Sequence, residues 1–156
     1  MPENPQDPNP VVKRLLESEE EQLLEQLAIR SQAIERDPSK ADSLDPTVSS
    51  SEISTMGPKE ALRAIGERVL NRWNREAYKL ICGSDKEVAK EREDLSRAFG
   101  LGDAAAAGAL CSALLLIPGM PVALAPVIAV ILVKRFFGPG IDEFCGYWKE
   151  NLPQQK

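Results

Sequence analysis

Residues 104–133 read AAAAGALCSALLLIPGMPVALAPVIAVILV, thirty residues without a charged side chain. Pro118-Gly119-Met120-Pro121 divides the run into residues 104–117 and 122–133, with Pro126 inside the second part. A single span over residues 114–133 would place three prolines in one helix, and each interior proline forfeits a hydrogen bond and clashes one turn back. The run therefore reads as an apolar helical hairpin whose turn is Pro118, Gly119 and Pro121. Its arms reach only ~21–23 Å at the helical rise, short of a ~30 Å hydrocarbon core. Such a hairpin is either a re-entrant membrane wedge or the buried centre of a helical bundle.

Small residues recur along both arms. Ala105, Ala109 and Ala113 are four apart, Gly108 lies midway between Ala104 and Ser112, and Ala125 and Ala129 repeat the spacing. Small faces let helix backbones approach closely, the usual mode of association inside lipid. These six positions, Ala105, Gly108, Ala109, Ala113, Ala125 and Ala129, are the expected helix-packing interface, through which the hairpin also self-associates.

Outward from the hairpin the charge is unevenly spread. Residues 1–58 carry 5 basic and 12 acidic side chains, residues 59–99 carry 10 and 8, and residues 100–156 carry 4 and 4, for a net charge of −5. An acidic balance argues against nucleic acid as a partner, since that footprint is normally basic. With no His in the chain, Ser-His-Asp and Cys-His catalysis are excluded, and zinc would need Cys and carboxylate ligands alone. No phosphate-cradling or metalloprotease motif occurs. The expectation is a non-enzymatic protein with no catalytic, cofactor or metal residues.

Residues 58–82 form the next legible helix. Leu62, Ile65, Val69, Trp73, Ala77 and Leu80 make one apolar face. Arg68, Arg72, Arg75 and Lys79 recur at four, three and four residues, a basic stripe about 120° round from that face. With Lys134 and Arg135, which close the apolar run, the stripe is the candidate contact for anionic headgroups or for an acidic partner. Ser84-Asp85-Lys86-Glu87 matches a capping box for a short charged helix ending at Phe99. Gly138-Pro139-Gly140 precedes a last helix over residues 141–152, where Trp148 and Tyr147 suit either a membrane interface or a lid on a core.

The N-terminal part reads as separate. Residues 1–10 carry four prolines and read as a disordered tail. Residues 11–36 form an acidic amphipathic helix, with Val12, Leu16, Leu23, Leu27 and Ile34 near one face, stopped at Asp37-Pro38. It suits docking on a protein partner or one strand of a short coiled coil. Residues 37–57, rich in Ser, Asp and Pro, read as a disordered linker. The module of residues 58–152 is therefore expected to fold without them, and residues 153–156 are a tail. Cys82, Cys111 and Cys145, with no CxxC pair, read as buried or half-buried thiols of a reducing compartment.

The fold class expected is all-α: an apolar hairpin flanked by amphipathic helices, plus a separate N-terminal helix on a flexible linker. Two functions compete. In the first, the hairpin inserts into a lipid bilayer and self-associates, with both termini on the cytoplasmic side and a membrane-perturbing action as its extension. In the second, the chain is a cytoplasmic interaction module with the hairpin as its core. A lysine at Met120 should be tolerated in the second case and resisted in the first.

Overall fold

The computed structural model describes residues 9–83, 89–137 and 140–151. The chain is all-helical. Its elements are α1 (Asn9–Leu16), α2 (Glu20–Arg36), a 3-10 turn (Pro38–Asp42), α3 (Ser50–Ile53), α4 (Lys59–Cys82), α5 (Ala89–Phe99), α6 (Asp103–Leu114), α7 (Ala125–Phe136) and α8 (Ile141–Glu150). The tails at 1–8 and 152–156, the capping box Ser84-Asp85-Lys86-Glu87 and the Gly138-Pro139 break lie outside the described residues.

The core is organised round α7. Pro126 is buried, and the other eight residues from 125 to 133 are between 0% and 1% exposed. A helix apolar on every side must be enclosed on every side, and α7 is packed by α1, α2, α6 and α8. Behind these walls, α4 backs α2 and α5 backs α6. Pro126 sits in the first turn of α7, where its missing N–H is no loss. The apolar run thus yields two 12-residue helices, α6 and α7. The chain between them is not helical throughout: Gly119 takes a φ of +82°, a left-handed conformation that glycine adopts without steric penalty.

The N-terminal helix is not separate. The stretch divides at Glu17-Ser18, and the Glu19 N–H donates to Gln22 Oε1 at 3.0 Å, starting α2 with Glu20 and Glu21 in its favoured acidic first turn. Val12 and Leu15 of α1 and Leu23, Leu24 and Leu27 of α2 are buried in the same core as α7. The reason is burial demand: α6 and α8 leave two sides of α7 open, and α1 and α2 close them. At the α2–α4 crossing, a β-carbon on Gly66 would collide with the Leu24 carbonyl, so the two backbones touch only because residue 66 has no side chain. Arg63 of α4 pairs with Glu25 at 2.9 Å and Glu21 at 3.7 Å across this seam. The acidic face of α2 is thus spent within the chain, not on a coiled-coil partner.

Residues 37–57 are likewise structured. Asp37 leaves the helix in an extended conformation, as a residue before proline should, and its carboxylate accepts from the Ser39 N–H at 3.2 Å. Leu44 is buried in the main core. Met56 is buried in a smaller cluster with Ala28, Ile29 and Leu62. The Ala123 N–H donates to the Ala41 carbonyl at 3.2 Å, which fastens this segment to the α6–α7 connection.

Two cysteines are not thiols. Cys82 at the end of α4 and Cys145 in α8 form a disulfide across 63 residues of sequence. Cys111 alone is free and buried, and burial pushes its thiol up to about 12, against a smaller opposing pull from Arg30. Beside the disulfide, α8 seals the end of α7. Phe144 and Trp148 are fully buried, with ring centroids 5.5 Å apart and Phe99 at 4.9 Å from Phe144. Trp148 is therefore a lid on the core, whereas Tyr147 is exposed.

Candidate interaction surface

The small residues do not form one seam. Ala125 and Ala129 face the core on α7, and Ala113 is buried. A β-carbon on Gly108 would strike the Asn9 side chain, so the closest approach of α6 there is to α1 rather than to α7. Ala105 and Ala109 are half-buried. Ala109 and Ala113 line a shallow apolar cleft with Ser112, Leu116 and Asp94 of α5.

At the turn, Pro118 and Gly119 are exposed and Pro121 half-buried. Met120 points inward, at 8% exposure. The expectation that a bundle would accept lysine at Met120 is therefore corrected: the tip of the connection is itself packed.

The cations separate into two groups. Arg135 lies on the flank of α7 and donates to Glu20 Oε1 of α2 at 2.5 Å and Glu67 Oε1 of α4 at 2.7 Å. Burial opposes its charge, but the two carboxylates outweigh that and hold its pKa above the ordinary value. Arg135 is thus a tie between three helices and not a headgroup contact. Arg75 is half-buried. Arg68, Arg72, Lys79 and Lys134 are exposed, and none of the four belongs to an ion pair among the described residues. The first three lie on α4 along about 16 Å of helix at 1.5 Å per residue.

Arg72 is held in place. Its guanidinium lies 5.2 Å from the centroid of the Trp73 ring, a cation–π arrangement. Both residues line a cavity of about 190 Å³ between α2, α4 and the α6–α7 connection. Its apolar wall is Ile34, Val69, Trp73, Pro121 and Leu124, and Ser31 and Glu35 complete the opposite rim. A second, polar cleft of about 420 Å³ surrounds Arg135, Glu20 and Glu67, with Asn71, Asn74 and Asn151.

Two buried polar residues escape a sequence reading. Arg30, 2% exposed, donates to the Leu44 carbonyl at 2.7 Å, the Ala123 carbonyl at 2.9 Å and Asp45 Oδ1 at 3.0 Å. Asp45 also pairs with Arg14 of α1 at 2.5 Å. Burial lowers the Arg30 pKa to about 10, with Asp45 pulling the other way. Arg30 is therefore a staple holding α2, residues 44–45 and the α6–α7 connection together. Asn74, 5% exposed, accepts from Trp148 Nε1 at 2.5 Å and satisfies the indole in the core. The signal for both is register: Arg30 continues the Leu23, Leu27, Ile34 face, and Asn74 continues Leu70, Ala77 and Ile81.

Among the described residues no helix is long and apolar enough to cross a membrane. No protein-family model, curated protein or solved structure matches the chain.

Proposed function

We propose that this chain is a non-enzymatic helical interaction module that binds an acidic protein segment along α4. The observation that carries the reading is the line of exposed cations Arg68, Arg72 and Lys79, which make no ion pair among the described residues, on a protein of net charge −5. Several other cations are engaged within the chain, as at Arg30, Arg63 and Arg135. Three unspent ones in a row favour a negative partner, because complementary potentials steer encounter and fix register. The enclosure of α7 supports the same reading, since the apolar run then serves as core. α1 and α2 bury their apolar residues in the core, which favours α4 over the N-terminal stretch as the docking element.

A second reading, insertion of α6 and α7 into a bilayer after the bundle opens, is favoured by the uncharged run itself and by exposed Lys134 at its end. One experiment separates the two. The untagged protein is fractionated with a carbonate wash, and its binding to a labelled poly-glutamate peptide is followed by fluorescence anisotropy against salt. The interaction reading expects protein in the supernatant. It also expects peptide binding that weakens with salt and falls at least ~10-fold in the triple variant Arg68→Gln, Arg72→Gln, Lys79→Gln. Carbonate-resistant pelleting with no peptide binding would replace it with the membrane reading.

A further inference from the structure

Resting on that reading, we infer that the cavity beside Arg72 is the specificity pocket of the α4 surface, and that its occupant is one aromatic side chain of the acidic partner segment. Size comes first. At about 190 Å³ the space is below the ~300–1,000 Å³ of small-molecule sites, yet a cavity of ~150 Å³ is enough for a benzene ring. It fits a single phenyl group and little more.

The lining fits the same occupant. Ile34, Val69, Leu124, Pro121 and the indole of Trp73 supply an apolar wall, and aromatic rings gain from meeting one another edge to face or offset. Binding energy at interfaces concentrates in such anchors, ringed by polar contacts that exclude water. Arg72 is the polar contact here. Its stacking on Trp73 fixes a cation at the cavity mouth, and Arg68 and Lys79 extend the charge to either side along α4. An acidic residue next to the aromatic would meet Arg72. Glu35 on the far rim repels acidic residues, so the segment runs along α4 and not across to α2. Charge thus sets the path, and the pocket sets the register.

The test uses the full chain and two synthetic acidic peptides that differ only at one central residue, Phe or Ser. Affinities are measured by anisotropy, and contacts between the peptide ring and the Trp73 indole are sought by nuclear Overhauser spectroscopy. The expected result is ~10-fold tighter binding of the Phe peptide, with ring-to-indole contacts. Val69→Phe, which fills the cavity from inside, should remove that advantage. The peptide comparison on the unmodified chain stands even if Val69→Phe misfolds. Equal binding of both peptides would overturn the pocket while sparing the charge-based function. No binding of either would overturn the function itself. Preferential binding to phosphatidylserine–phosphatidylcholine vesicles, with loss of peptide by competition, would overturn both in favour of a lipid surface.

Discussion

Deleting residues 1–37 should abolish the fold. The deletion removes Val12, Leu15, Leu23, Leu24 and Leu27, each no more than 7% exposed. Five such side chains at ~1.5–3 kcal/mol each contribute ~8–15 kcal/mol of burial. That is of the order of the whole net stability of a domain this size, ~5–15 kcal/mol. The loss is compounded because α1 and α2 cover two sides of α7, so the deletion exposes apolar surface on the partner as well. It also strips Arg135 of Glu20 and removes Arg30 from its three bonds. The assay is urea unfolding followed by far-ultraviolet circular dichroism, with size-exclusion chromatography of the truncated chain. Loss of the cooperative transition, or aggregation, is the expected outcome. The milder Leu27→Ala should keep the fold and lose ~2–5 kcal/mol. A truncated chain that melts cooperatively within a few degrees of the full one would refute the reasoning and restore an independent module at residues 58–152.

Four further outcomes follow from the packing. Cys82→Ser with Cys145→Ser should lower stability by ~2–4 kcal/mol; finding three titratable thiols in non-reduced, denatured protein would contradict the bridge. Gly66→Ala should force α2 and α4 apart at a cost of ~1–3 kcal/mol or more, and an unchanged midpoint would show that the crossing is looser than described. Met120→Lys should destabilise by at least ~2 kcal/mol, because the charge enters a packed site; a silent substitution in urea melts would place the residue in solvent. Arg30 titrates near 10 when folded and higher when unfolded, so above pH 10 the unfolded chain holds a proton that the folded chain has lost, and stability gains with pH over that window. Arg30→Met should remove this gain, and identical alkaline slopes for the two proteins would refute it.

Local signals were legible where they are dense. The uncharged run gave two helices with prolines at their break, Asp37-Pro38 ended α2, and the spacing of Leu62, Trp73 and Ala77 gave the buried face of α4. What escaped the sequence depends on contacts between distant residues. Residues 11–36 read as one helix, whereas Glu19 and Glu20 start a second. Leu44 and Met56 are single apolar residues in polar surroundings, and no periodicity marks such a residue as core. Arg30 reaches the Ala123 carbonyl across 93 residues, and Cys82 reaches Cys145 across 63; only a folded chain makes such pairs neighbours. Which of the candidate contact cations are paired within the chain was not legible, since Arg135 looks the same as Lys134 in sequence.

The enclosure of α7 also bears on how the chain is made. α1, with its buried Val12 and Leu15, rests on α6 and α7, so these residues leave the ribosome well before the helices that bury them. Roughly 120 residues of further synthesis separate them from the end of α7, ~6–24 s at ordinary elongation rates. In the meantime α2 can meet α4, α5 can meet α6, and α1 can meet α6 but not α7. Through that interval α1 offers its unburied face to whatever is near the exit tunnel, and assembly must finish from the middle outward once Phe136 emerges. A nascent chain stalled before α7 would lack the helix that α1, α2 and α6 enclose.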